Sequence, residues 1–159
     1  MRLGAALRRA WVGYQLRLDE EMAAAGFADR GFPDGRVLRI CSGPAETTVS
    51  HIGRELGITR QGASKIVGGL RDRRYVTLRP SVTDGREKIV ILTPRAIDYL
   101  AAQRKAAHTI ERRLRMELGP EVLTTLYRLV GALGGDENLR MSDYLRQMRQ
   151  VGGLGHADE

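Results

Sequence analysis

Residues 47–93 read TTVSHIGRELGITRQGASKIVGGLRDRRYVTLRPSVTDGREKIVILT. Ser50 is placed to cap a short helix carrying Ile52 and Leu56, which Gly57 stops. Thr59 caps another, with Ala63, Ile66, Val67 and Leu70 at the spacing of one inner face. Residues 75–79 and 88–92 are rich in β-branched side chains and read as two strands joined by a turn over 80–85. Strands this short cannot stand alone, so they must lean on the helices before them. Thr93-Pro94 opens a further helix, threonine as cap and proline at the first helical position.

Outward from this centre, both flanks are helical. Residues 3–25 place Leu7, Trp11, Tyr14, Leu18 and Met22 at intervals of three and four until Gly26 and the cluster Gly31-Phe32-Pro33-Asp34-Gly35 end the run. Residues 36–43 read as a short buried helix with Val37, Leu38, Ile40 and Cys41. After Thr93 the positions Ile97, Leu100, Ala107, Ile110, Leu114 and Leu118 form a heptad-like stripe, broken by Gly119-Pro120. Another helix follows from Val122 to Leu133, a last helical piece is expected over 139–149, and residues 151–159 read as a flexible tail. The expected organisation is a mostly α chain with a DNA-binding unit over 36–93. Its flanks, 1–35 and 94–150, form a helical dimerisation region, because a long apolar stripe needs a covering surface.

The charge is concentrated at the centre. The net charge is +7, yet residues 45–95 hold ten basic and five acidic side chains, while residues 1–35 and 96–159 are each balanced. That pattern fits a polyanion-binding module between neutral helices. Hydrophobic residues are 42% of the chain, enough for a packed interior. There is one cysteine, so no internal disulfide, and the expected compartment is the reducing cytoplasm. No apolar run of membrane-spanning length occurs, and Arg8, Arg9 and Arg17 interrupt the N-terminal region where a signal peptide would need continuity.

The two central helices have the spacing of a helix-turn-helix, whose second helix enters the major groove of DNA. Its first exposed residues are Arg60, Gln61, Ser64 and Lys65. Glutamine can pair bidentately with adenine and arginine or lysine with guanine, whereas Ser64 suits a phosphate or edge contact. Ser50 and His51 open the preceding helix, whose free N–H groups suit a phosphate. Arg71, Arg73 and Arg74 follow the second helix, with Arg73 and Arg74 taken as backbone contacts. Arg79, Arg86 and Lys88 lie on the hairpin, where Asp84 is expected to orient the Arg86 guanidinium toward the minor groove, or to serve as a turn residue. Gly68-Gly69 is unexpected inside a helix, since each glycine costs about 1 kcal/mol relative to alanine.

In this order, helix-turn-helix, Asp84-x-Arg86 and Leu92-Thr93, the chain resembles the MarR family of winged helix-turn-helix regulators. The resemblance implies a winged helix-turn-helix with a small β hairpin and a helical dimerisation lobe. It implies a homodimer that binds a palindromic operator as repressor or activator, and release by a small phenolic or lipophilic ligand or an oxidant. It assigns 59–70 to the recognition helix and Asp84 with Arg86 to the wing. The chain departs from the pattern at Ala96, where the family usually has glycine, and at Gly68-Gly69, where long polar residues are usual.

Trp11, Tyr14, Phe27 and Phe32 are candidate linings for a ligand pocket between the two lobes, or ordinary core and interface residues. Relatives that sense oxidants often carry a cysteine in the first helix. Here Cys41 sits in an apolar segment and reads as a small buried residue. His51, His108, His156 and Cys41 lack ligand spacing, so no metal or other cofactor is expected. No nucleophile–base set or phosphate loop argues for an enzyme. A non-specific nucleoid-type DNA-binding protein is the alternative function. A protein-interaction module would not need the central positive charge.

Overall fold

The computed structural model describes residues 2–133. In chain order it contains α1 (Leu3–Ala24), α2 (Asp34–Cys41), β1 (Thr47–Thr48), α3 (Val49–Leu56), α4 (Arg60–Asp72), β2 (Val76–Pro80), β3 (Lys88–Leu92), α5 (Pro94–Leu118) and α6 (Val122–Ala132). The helix expected over 139–149 and the tail lie outside the described residues.

The caps decide where the central helices begin. Thr59 Oγ1 accepts the Gly62 N–H at 3.1 Å, starting α4, and Thr93 caps α5 by accepting from Ala96. For α3 the expected cap was Ser50, and the structure corrects it. Thr48 is extended and its hydroxyl accepts the His51 N–H at 3.1 Å, so Ser50 lies inside the helix with its side chain free for another partner. Gly57, in the left-handed region at φ 64°, closes α3. Helices α3 and α4 cross through small residues. A Cβ on Gly53 would sit 3.3 Å from the Ile58 carbonyl oxygen and 3.5 Å from the Ala63 Cβ, so the tight turn needs glycine there.

Three strands form the sheet where two were expected, in the antiparallel order β1-β3-β2. Thr47 pairs with Val90 and Thr48 with Ile89, while β2 and β3 run in register from Val76↔Leu92 to Pro80↔Lys88. A two-residue strand has no alternation to read. Helix α2 also starts earlier than expected, at Asp34, with Pro33 as its cap residue. Asp34 and Gly35 are buried, and a Cβ on Gly35 would fall 2.3 Å from the Gln103 side chain on α5. The glycine that reads as a helix breaker lies buried in the first turn of α2.

One core runs through both lobes. Leu38, Ile52, Leu56, Ala63, Val67, Leu70, Val76 and Val90 fill the central unit. Phe27, Tyr75 and Tyr99 continue it, with ring centroids 5.3–6.4 Å apart. Leu18, Met22, Leu100, Ala106 and Ile110 extend it between α1 and α5. The buried stripe of α5 is therefore Ala96, Tyr99, Leu100, Ala106 and Ile110, and two residues of the expected heptad, Ile97 and Leu118, face outward.

A polar hub locks the central unit to the flanks. Buried Asp34 receives Arg73 Nη1 at 2.5 Å and Nη2 at 3.0 Å, and the Gly31 N–H at 2.6 Å. Arg73 also donates to the carbonyl oxygens of Asp29 at 2.8 Å and Gly69 at 3.1 Å. Beside it, the Tyr75 hydroxyl donates to Asp29 at 2.6 Å, and Arg95 reaches Asp29 at 3.2 Å while lying 4.7 Å above the Tyr75 ring. Arg74 takes the left-handed conformation, φ 64°, that lets the chain leave α4 into β2.

Candidate nucleic-acid interface

Thr59 ends the turn after α3, so the first turn of α4 projects from the surface. Arg60, Gln61, Ser64 and Lys65 are all exposed, on the face opposite Ala63, Val67 and Leu70. The β2–β3 hairpin rises beside them as the wing. Between wing and helix lies an open cleft of about 410 Å³ lined by Val49, Arg60, Gln61, Ser64, Arg86 and Lys88. Fold topology thus brings together residues 60–64 and 86–88, which sequence reading had assigned separately.

The wing turn is built on Asp84. Its carboxylate accepts the Arg86 backbone N–H at 3.0 Å, and its carbonyl oxygen accepts the Glu87 N–H at 2.9 Å. Of the two roles read for Asp84, its contact in the structure is the turn role. It holds the Arg86 backbone, and the Arg86 side chain stays exposed at the tip. A second concave surface, about 390 Å³, lies on the other side of the hairpin and is lined by Arg71, Thr77, Leu78, Arg79, Pro80, Gly85 and Lys88. Arg79 also pairs with Glu46. Cationic side chains therefore line both sides of the wing.

The other expected contacts divide. Arg73 points inward to Asp34 rather than outward, because a carboxylate that is 1% exposed needs a fixed partner. Arg74 is exposed and its carbonyl accepts the Thr93 hydroxyl at 2.8 Å. Ser50 donates its hydroxyl to Glu87 at 2.5 Å. The candidate ligand residues split into two groups. Trp11 stacks with Tyr14 at 6.1 Å and meets Phe32 edge-on at 6.3 Å, whereas Phe27 belongs to the core with Tyr75 and Tyr99. Burial raises the Tyr14 hydroxyl above its usual range, with Glu111 adding to the rise. Burial also pushes the Cys41 thiol up to about 11, which makes it a poor thiolate at neutral pH.

Two residues at these candidate surfaces carry no distinguishing signal in the sequence. Arg71 was one of a run of arginines with nothing to rank it. Glu87 is an acid in a cationic segment, which carries no local signal of a role. Among the described residues no cluster of three or more His, Cys, Asp and Glu could hold a metal ion, and no helix is long and apolar enough to cross a membrane.

A protruding helix and wing around a cationic cleft define a winged helix-turn-helix protein of the DNA-binding class. Residues 22–87 match the family model described as the MarR family. Its structure is similar to that of the transcriptional repressor CouR bound to a 23-mer DNA duplex, at 27% identity and TM-score 0.61 over 84% of this chain and 92% of that one. It is also similar to a mutant of MepR from S. aureus bound to an oligodeoxyribonucleotide, at 17% identity and TM-score 0.62 over 84% and 99%. The PcaV transcriptional regulator from Streptomyces coelicolor, in complex with its natural ligand, matches at 15% identity and TM-score 0.63 over 84% and 92%. At the latter two identities the likeness speaks for the fold. Comparison with curated proteins finds no match.

Proposed function

We propose that the protein is a cytoplasmic, homodimeric transcriptional repressor that binds a palindromic operator. In this reading one α4 from each protomer enters successive major grooves about 34 Å apart, and the wings reach the flanking minor grooves. The observation that carries the reading is the cleft in which Arg60, Gln61, Ser64, Arg86 and Lys88 converge, with the cations Arg86 and Lys88 in no ion pair among the described residues. Dimerisation is supported by apolar side chains left uncovered on the flanking helices, among them Val12 and Leu16 on α1, Met116 on α5, and Leu126 and Val130 on α6. Release by a small aromatic or lipophilic effector is supported by the partly exposed group of Trp11 and Tyr14 on α1 with Phe32 from the loop after it, and by the PcaV regulator having a natural ligand.

The test is a fluorescence-anisotropy titration of a wild-type-selected duplex and a random duplex at several salt concentrations, with the oligomer mass measured in parallel. Affinity is expected to fall steeply with salt, because phosphate contacts release counterions. Arg86→Ala is expected to weaken binding about tenfold, the scale of one lost groove contact. Unchanged affinity would remove the wing from the interface, and a monomeric mass at the binding concentration would remove the two-groove geometry. Equal affinity for both duplexes favours a non-specific nucleoid-type protein. Gly68, on the outer side of α4 with nothing within 4 Å of its would-be Cβ, leaves that face short of a side chain and motivates that second reading.

A further inference from the structure

Glu87 places a carboxylate at the edge of a cleft otherwise shaped for a polyanion. Its side chain is 20% exposed, against 55% for Arg60. Three elements meet on it. Ser50, in the first turn of α3, donates its hydroxyl to Oε1 at 2.5 Å. Arg60, the first residue of α4, lies 3.5 Å from the same oxygen and donates from Nη2 to the Arg86 carbonyl oxygen at 2.5 Å. The Glu87 backbone closes the wing, donating to Asp84 and accepting from Ser81 at 3.0 Å. Its second oxygen, Oε2, is buried and has no hydrogen-bond partner. A buried acceptor left without a donor is costly, and Arg60 is the cation paired with this carboxylate.

The alternative for such an acid is simple repulsion. A negative charge facing phosphates weakens every duplex equally, because phosphates carry no sequence. The geometry here adds something else. Arginine reads guanine best when its fork is held in plane with the base edge, and a long exposed side chain at the start of a helix needs tertiary partners to be held so. Thr59 fixes the backbone of that turn, and Glu87 with the Arg86 carbonyl is what fixes the side chain.

We infer that Glu87 is a specificity-determining positioning residue: it ties the recognition helix to the wing through Arg60 and orients that guanidinium for a base edge, at the expense of overall affinity. This rests on the DNA-binding reading above. Losing Glu87 should therefore strengthen general binding while degrading discrimination.

The experiment compares wild type, Glu87→Gln, Arg60→Ala and the double variant on two duplexes, one selected by the wild-type protein from a randomised pool and one of random sequence, at equal salt. Glu87→Gln retains size and hydrogen-bonding capacity, and a thermal melt confirms that it folds. It is expected to bind random duplex several-fold more tightly and to lose about tenfold in the ratio of selected to random affinity. In the Arg60→Ala background the same change is expected to leave that ratio unaltered, because the positioned group is gone. The inference is overturned if Glu87→Gln tightens both duplexes equally, if it tightens neither, or if its effect on the ratio persists without Arg60. Wild-type protein that binds neither duplex rejects the DNA-binding reading itself, a result distinct from all three.

Discussion

Arg73 illustrates how far one side chain can move between a sequence reading and a fold. It sits in a run of arginines after the recognition helix, where phosphate contact is the natural expectation. In the structure it spans Asp34, the Asp29 carbonyl and the Gly69 carbonyl, and its neighbours Asp34 and Asp29 hold its guanidinium above the usual range despite burial. Removing it leaves Asp34 buried with only the Gly31 N–H, so Arg73→Ala is expected to cost about 3 kcal/mol, the low end for a broken buried pair because Arg73 is partly exposed. Thermal or urea denaturation measures this. A loss of DNA affinity with an unchanged melting temperature would instead return Arg73 to the interface. Asp84 is a milder case. Its position in the wing was legible, but an Asp-Gly turn is compatible with either a side-chain or a backbone partner, and only folding selected the backbone N–H of Arg86.

At the scale of the element, α4 carries the strongest conflict between propensity and structure. Gly68 and Gly69 lie inside a continuous helix, and the space around a Cβ at Gly68 is empty. Tertiary packing of Ala63, Val67 and Leu70 overrides the poor local propensity. Gly68→Ala is expected to stabilise the protein by about 0.5–1 kcal/mol, the helix-interior difference between the two residues. Chemical denaturation checks it, and a destabilised variant would mean that the glycine serves a conformation other than this helix. The element boundaries set by caps were readable because they depend on residues three or four apart. Thr59, Thr93, Gly57 and Gly119 all mark the ends they were expected to mark. Strand β1 and the start of α2 were not readable. One exists only through pairing with β3, and the other begins at Asp34 and Gly35, which are buried by the rest of the fold.

For the molecule as a whole, the hub of Asp29, Tyr75 and Arg95 joins the loop after α1 to β2 and α5. Burial raises the Asp29 carboxyl, but hydrogen bonds from Tyr75 and Arg95 outweigh that and leave it below its usual 3.8. A carboxylate depressed in the folded state stabilises it above the unfolded value, and that contribution is lost as pH falls through the folded one. Stability is therefore expected to decline below about pH 4, and Asp29→Asn to flatten that decline. An acid limb of unchanged steepness in Asp29→Asn would show that the hub is not linked to protonation there. Burial keeps Tyr75 protonated well above the usual tyrosine range, with Asp29 reinforcing it, so the donor side of the same bond does not titrate in the same window.

The amino-acid order by itself determined the succession of caps, turns and apolar stripes, the concentration of positive charge in the middle of the chain, and the wing signature around Asp84 and Arg86. These are local or additive properties, set by interactions a few residues apart or by counting charges. The tertiary structure alone decided which arginines face solvent and which are buried, that Glu87 joins Ser50, Arg60 and the wing, and that Phe27 belongs to the core rather than to a pocket. Those outcomes depend on partners such as Asp34 and Arg73, 39 positions apart, and on the desolvation that follows when packing brings them together.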